Sequence, residues 1–152
     1  AFIRRLAEAG LQVDLYGSNW GRFVRHSSVA VFSAVYGDEF WKVLRRYRVQ
    51  LNLMRLHNED SHNMRSFEIP GVGGIMLAPN TIEHRMFFND GLNVFLFNDL
   101  NDCIRLARCI LEMPAADAES VRQKAREHSV ETRFTYRERT IDALQRLQML
   151  RS

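Results

Sequence analysis

One short segment of the sequence concentrates side chains that can bind hydroxyl groups and phosphates. Within residues 57–77, HNEDSHNMRSFEIPGVGGIML, the charged residues Asp60, Arg65 and Glu68 are followed by three glycines and an apolar stretch. Arginine forms paired hydrogen bonds to phosphate oxygens, and a carboxylate can accept hydrogen bonds from two neighbouring hydroxyls. This combination of residue types suits a nucleoside diphosphate.

The spacing predicts a helix from about residue 62 to residue 70, with these groups near its start. The free amides of a first helical turn bind anions, so Arg65 and the backbone around Asn63 are predicted to hold a diphosphate. Glu68 lies three residues after Arg65 on the same helix face and is predicted to bind ribose. From spacing alone, a surface ion pair between Arg65 and Glu68, worth under about 1 kcal/mol, is an equal alternative.

Other polar residues are harder to interpret. Asn52 falls at the end of a predicted buried strand, where an amide needs hydrogen-bond partners, and it is included among the predicted ligand-binding residues. His57 and His62 are predicted to be solvated loop residues. Cys103 and Cys109 are predicted to be small buried apolar residues. No catalytic triad, zinc motif or Walker loop is present.

Short apolar segments alternate with helical patterns along the chain. Apolar segments such as VDLY, VAVF, VQLNLMR, GIMLAP and LNVFLFN are separated by amphipathic stretches, while residues 19–28 are predicted to be loop. This alternation predicts one α/β domain over residues 1–152, with a Rossmann-like parallel sheet and helices on both faces. Ligands of such sheets bind at the carboxyl ends of the strands, here in loops predicted to follow residues 16, 54, 77 and 97.

The composition excludes several classes of protein. The net charge of +3 is spread along the chain, which does not indicate nucleic-acid binding. No apolar run approaches the roughly 20 residues of a membrane span. The two cysteines match no metal motif and favour a reducing, cytoplasmic compartment. The glycines do not form the G-x-G-x-x-G pattern, which disfavours an NAD-binding domain.

Several segments resemble a known family. VQLNLMR, NMRSFEIPGVGGIMLAPN and GLNVFLFNDLNDCIRLARCIL resemble the C-terminal half of bacterial group 1 glycosyltransferases, in particular the CgeB-like, spore-maturation-related branch. Tyr136 and Arg139 match a Tyr-x-x-Arg pattern of a later helix in that branch, and LAEAGLQVDLYGSNW is similar to an upstream stretch. The resemblance covers nearly the whole chain and is most specific over residues 63–74.

The resemblance implies a GT-B enzyme, in which the C-terminal domain binds a nucleoside diphosphate sugar without a catalytic metal or other cofactor. In the wider group two glutamates separated by seven residues touch the donor. Glu68 matches the second, which binds ribose, and Asp60 stands at the first, where a shorter acid would touch the sugar. Gly17 would line the cleft floor. An N-terminal acceptor-binding domain and a first strand are expected outside residues 1–152, which leaves a fragment expected to be inactive alone.

Two further expectations concern partners. The first is an alternative function, a non-catalytic Rossmann-like interaction module that keeps the fold without the chemistry. The second concerns the last predicted helix, where Ile141, Leu144 and Leu147 recur at helical spacing. Packing of Ile141 and Leu144 on the domain's own sheet is slightly favoured, while the helix end beyond them is expected to be exposed or to mediate self-association.

Overall fold

The computed structural model describes residues 2–54 and 60–149. Its helices are α1 (Phe2–Glu8), α2 (Trp20–Phe23), α3 (Gly37–Arg46), α4 (Arg65–Gly71), α5 (Ile82–Phe87), α6 (Leu100–Glu112), α7 (Ala115–Glu131) and α8 (Tyr136–Met149). Its strands are β1 (Val13–Tyr16), β2 (Val29–Phe32), β3 (Gln50–Leu51), β4 (Met76–Pro79) and β5 (Phe95–Phe97).

All strand pairs in the described part of the chain are parallel, which confirms the predicted α/β class. β1 pairs with β2, with Val13 opposite Val29. β4 lies between β3 and β5, with Leu77 opposite both Leu51 and Phe95. The parallel strands are divided between a two-stranded and a three-stranded sheet.

The central strand β4 is buried on both faces. Leu77 belongs to a cluster with residues of α1, α6 and α7, whereas Met76 and Ala78 belong to a second cluster with residues of α3 and α4. Because successive side chains of a strand point to opposite faces, the two clusters lie on opposite sides of the sheet. Helices therefore cover both faces, as the continuous apolar run of this strand predicts.

The structure corrects several predicted boundaries. Residues 19–28 are not all loop, because α2 forms one turn in which Trp20 and the following Val24 pack against the core. The strand at residue 50 ends at Leu51, and β4 continues to Pro79, so two of the loops at the carboxyl ends begin at residues other than those predicted. Cys103 is buried as predicted, but Cys109 is exposed.

The turn between α4 and β4 requires glycine for packing. A Cβ atom on Gly74 would lie 2.8 Å from the Ile69 Cγ2 atom, 2.9 Å from the Ile69 carbonyl oxygen and 2.8 Å from Gln50 Oε1. Gly74 therefore allows the end of α4 to approach β3 closely, which fixes how the helix sits over the sheet.

Among the helices of the described residues, none combines the length and apolar content needed to cross a membrane.

Candidate functional site

The carboxyl ends of β3, β4 and β5 meet at one edge of their sheet, because the three strands are parallel. The loops that leave this edge, and the first turns of the helices that follow them, carry a group of polar side chains, namely Asn52, Asn63, Asn80, Glu83, Asn98 and Asp102. Ligands of parallel α/β sheets bind at this edge. We therefore take this edge as the candidate site.

Asn52 and Asn63, both predicted to bind ligand, contact each other. Asn63 Nδ2 donates to Asn52 Oδ1 at 2.9 Å, and Asn52 Nδ2 donates to Ser66 Oγ at 3.1 Å. Asn63 Oδ1 accepts from the Ser66 amide at 3.2 Å, and α4 begins at Arg65, three residues later than predicted. The two amides thus anchor the start of α4 to the end of β3.

A buried histidine that the sequence did not single out completes this network. His84 Nε2 lies 2.8 Å from Ser66 Oγ, and His84 Nδ1 lies 2.8 Å from the Pro79 carbonyl oxygen. Because a carbonyl can only accept, Nδ1 carries the hydrogen and the Ser66 hydroxyl donates to Nε2. Burial lowers the pKa of His84, which favours this neutral form.

The Ser66 and His84 pair is not a nucleophilic dyad. Both residues are fully buried, and the Ser66 oxygen also accepts from Asn52, so it has no access to a substrate. The network joins α4, α5 and the ends of β3 and β4, which gives it a structural role. The signal that could have revealed His84 is its place in the first turn of α5, where Thr81 Oγ1 accepts from its amide.

Arg65 and Glu68 lie on the exposed side of the same helix. Their side chains form an ion pair, so the alternative contact expected from their spacing is present in the structure. The side chain of Arg65 is 47% exposed and that of Glu68 is 20% exposed. The guanidinium carbon of Arg65 lies 4.1 Å from the ring centroid of Phe40 on α3, which holds the cation in place.

The backbone beside this ion pair has free donors. The amides of Met64 and Arg65 have no hydrogen-bond partner within residues 2–54 and 60–149. They lie at the start of α4, where the intrahelical acceptors are absent. Two amides, one guanidinium and one carboxylate are therefore close together at the end of β3.

The two remaining predicted site residues are less well connected. Asp60 is exposed in a turn next to residues 55–59, which lie outside the described residues together with the predicted loop residue His57. Gly17 lines a cavity of about 390 Å³ at the ends of β1 and β2, together with Ser18 and residues 31–34. The structure does not bring Gly17 into contact with Arg65 or Glu68.

His62 is not simply solvated, which corrects the prediction for this residue. Its Nδ1 atom forms a hydrogen bond to the Glu83 carboxylate, and the Ser61 hydroxyl donates to the same carboxylate at 3.0 Å. The hydrogen bond from His62 is the main reason that the pKa of Glu83 is lowered. The Phe67 and Phe87 rings flank the imidazole in T-shaped arrangements, at centroid distances of 4.9 and 5.3 Å.

Residues 1–145 match the protein family described as Glycosyl transferase-like. The chain belongs to this family. The match spans both sheets and all of the polar residues described at the strand ends, so the candidate site lies within a glycosyltransferase domain. No curated protein matches the chain.

The glycosyltransferase domain has a second polar cluster at the same edge. Asn80 Nδ2 donates to Asn98 Oδ1 at 2.8 Å, which joins the residues that follow β4 and β5. Arg85 donates to Asn80 Oδ1 at 2.9 Å, and Asp102 accepts from the Asn98 amide at 3.0 Å. These groups bond to one another and tie together the residues that follow β4 and β5 at this edge.

Metal-ligating side chains are not clustered in the part of the domain that the structure describes. Over residues 2–54 and 60–149, no three His, Cys, Asp or Glu side chains come close enough to hold an ion. The polar groups of the site are a guanidinium, carboxylates, amides and an imidazole, which are able to form hydrogen bonds and charged contacts.

Proposed function

We propose that this domain binds the nucleoside diphosphate sugar donor of a glycosyl transfer at the carboxyl end of β3. The observation that carries the proposal is the placement of Arg65 and Glu68 together on the exposed side of α4, directly after that strand. A nucleoside diphosphate has an anionic part and a hydroxyl-bearing part next to each other, and the ion pair offers one group for each.

Arg65 acts on the diphosphate in this proposal. Its guanidinium is supported by the Phe40 ring and is about half exposed, so an incoming phosphate reaches it without a change in the core. The amides of Met64 and Arg65, which have no hydrogen-bond partner among the described residues, add two donors in the same place. A phosphate oxygen between these groups receives hydrogen bonds from both the cation and the backbone.

Glu68 acts on the ribose. A carboxylate that is 20% exposed and already accepts from Arg65 can also accept from the two hydroxyls of a ribose, because its oxygens have several acceptor positions. Asp60 contacts the transferred sugar, Gly17 lines the floor of the cleft, and Asn52 with Asn63 holds the loop and α4 in position. The ligand thus shares the ion pair and does not displace it.

The finer features of the proposal follow from the resemblance to group 1 enzymes. We propose a GT-B mechanism without a catalytic metal or other cofactor, within the CgeB-like branch. Transfer then requires an acceptor-binding N-terminal domain in addition to residues 1–152, so these residues bind the donor but do not turn over by themselves. The support is the motif similarity over residues 63–74 together with the family match.

A thermal-shift screen tests donor binding. Purified protein is titrated with UDP, GDP, ADP, TDP and CMP, and binding to the folded state alone raises the midpoint of thermal unfolding. We expect one or more diphosphates to raise the midpoint. A chain that gives no shift with any of them contradicts the proposal and favours the interaction module.

The interaction module is the second candidate function, and one observation favours it. Helix α8 buries none of its described residues, and Ile141, Leu144 and Leu147 are exposed by 36%, 55% and 55%. This contradicts the expected packing of Ile141 and Leu144 on the domain's own sheet. Arg139 in the first turn of α8 stacks over Phe67 at 4.8 Å, while no described residue of the helix is buried.

Self-association through α8 is measured by sedimentation at several protein concentrations. Exposed apolar side chains at helical spacing favour a helix-to-helix contact, so we expect the average mass to rise with concentration. Truncation after Leu144 removes Leu147 and should reduce that rise. A chain that stays monomeric at all concentrations leaves donor binding as the remaining function.

A further inference from the structure

His62 and Glu83 form a pair to which the proposed donor contacts assign no role. We propose, on the basis of the proposed donor site, that His62 is a diphosphate-binding residue that donates from Nε2 in its protonated form and is held in position by Glu83. Binding of the nucleotide is then coupled to protonation of this one imidazole.

The first support is position. His62 lies in the loop after β3 and Glu83 lies in the first turn of α5, after β4, so the pair joins loops from the carboxyl ends of two adjacent strands. Asn63, the next residue, is fixed to the end of β3 by its hydrogen bond to Asn52. His62 therefore stands two residues before Met64 in the same loop, which also leads into the helix that carries Arg65 and Glu68.

The second support is the hydrogen-bonding state of the imidazole. Nδ1 is committed to Glu83, while Nε2 has no hydrogen-bond partner among the residues that the structure describes. The side chain is 27% exposed, so a ligand can reach it. A histidine whose one nitrogen is held by a carboxylate presents the other nitrogen in a fixed orientation, as in many binding and catalytic sites.

The third support is the rigidity of the ring. The Phe67 and Phe87 rings flank it in T-shaped arrangements, and the Glu83 carboxylate is itself held by the Ser61 hydroxyl. A partly exposed ion pair of this kind adds little to the stability of a fold. Its three ordering contacts are better explained by the need to hold the imidazole for a ligand.

The charges around His62 determine how binding and protonation are coupled. Glu83 faces it from α5, and Asp60 lies two residues earlier in the loop. His84 on α5 is buried and neutral, and Arg139 on α8 stacks over Phe67 at 4.8 Å. A bound diphosphate adds negative charge beside the imidazole, which favours its protonated form, so the complex should take up protons as it forms.

The test measures proton uptake by calorimetry. UDP, GDP, ADP and TDP are titrated at about pH 7, where a histidine is only partly protonated, in two buffers of different ionisation enthalpy. The wild type is compared with His62→Gln, which keeps a neutral hydrogen-bond donor. The difference between the two proteins cancels any proton exchanged by the ligand itself. We expect the wild type to take up more protons, by up to about one per nucleotide.

The same variants give an affinity difference that depends on pH. Near pH 6 we expect His62→Gln to bind about 10-fold more weakly, because the hydrogen bond to the diphosphate then comes from a neutral donor and not from a cation. The difference should become smaller as the pH rises, because a neutral imidazole and a glutamine amide are both uncharged donors. The matched control is His26→Gln. His26 Nδ1 accepts from the Ser28 amide, so His26 lies at the amino end of β2. The His26→Gln variant should behave as wild type.

Glu83→Gln keeps the inference testable if His62→Gln does not fold. It removes the negative charge that favours the protonated imidazole and should reduce proton uptake without abolishing binding. If none of the four diphosphates binds, both the donor site and the role of His62 are wrong. If a diphosphate binds with the same proton uptake in wild type and His62→Gln, the role of His62 is wrong and the donor site stands.

Discussion

The two sides of helix α4 carry polar groups of different kinds. On the buried side, Ser66 bonds to His84 and Asn52, and each side chain has its partners within the protein. On the exposed side, Arg65 and Glu68 bond to each other but keep surface in contact with solvent. Buried polar groups must be satisfied internally, whereas half-exposed ones can exchange water for a ligand. One seven-residue helix therefore serves both the fold and the candidate site.

The largest expected effect comes from breaking the buried side. His84→Ala removes a fully buried ring and leaves the Ser66 hydroxyl and the Pro79 carbonyl without their partner. The free energy of unfolding should fall by about 3–5 kcal/mol, from the cavity and the unsatisfied groups together. Urea denaturation measures it. The half-buried His26, changed to Ala, is the control, and an equal loss there would contradict the structural role of the network.

The second prediction concerns Glu68. Glu68→Ala should weaken binding of the preferred nucleoside diphosphate by about 1.5–3 kcal/mol, because a charged hydrogen-bond partner of the ribose is lost. The free energy of unfolding should change by less than about 1 kcal/mol, since the ion pair is only partly buried. Calorimetry and urea denaturation measure the two quantities.

A matched control for Glu68 exists elsewhere in the chain. Glu8 forms an ion pair with Arg5 at the same spacing on α1. Glu8→Ala should leave nucleotide binding unchanged. If Glu68→Ala binds as well as Glu8→Ala does, the exposed side of α4 has no ribose contact and the comparison between its two sides fails.

The third prediction separates phosphate from base. Arg65→Ala should weaken the binding of nucleoside diphosphates by about 1.5 kcal/mol. This is the lower end of the range for a hydrogen bond to a charged group, because the guanidinium is about half exposed. Binding of the matching nucleoside, which has no phosphate, should hardly change. Calorimetry with both ligands makes the comparison. An equal loss of affinity for the two ligands would show that Arg65 forms only a surface ion pair and does not bind phosphate.

The fourth prediction uses pH on the buried side. Burial lowers the pKa of His84 below its ordinary 6.5, so the unfolded chain binds a proton that the folded chain does not. The stabilisation is therefore present above about pH 6.5 and is lost as the pH falls below it, by at most about 1.4 kcal/mol per pH unit. Urea denaturation of wild type and His84→Gln isolates this residue. If the difference in free energy of unfolding between the two proteins does not vary with pH, the assignment of His84 as neutral is wrong.

The predictions from sequence were most accurate where local chemistry is sufficient. The strand VDLY, the helix around residues 100–112 and the apolar strand before Pro79 follow from periodicity and end signals, and all are present. The ion pair of Arg65 with Glu68 follows from three-residue spacing on a helix. By contrast, the spacing of α8 correctly predicts a helix but not that Ile141 and Leu144 stay exposed, because exposure depends on what lies beside the helix.

The polar partners at the strand ends required the tertiary structure. His62 and Glu83 are far apart in the chain, as are Ser66 and His84, and no local pattern relates either pair. They meet because parallel strands bring the loops after β3 and β4 to one edge of the sheet. Residue types and helical spacing determined which groups are available on α4. Strand pairing determined which partners those groups meet, because hydrogen bonds depend on distance in space and not along the chain.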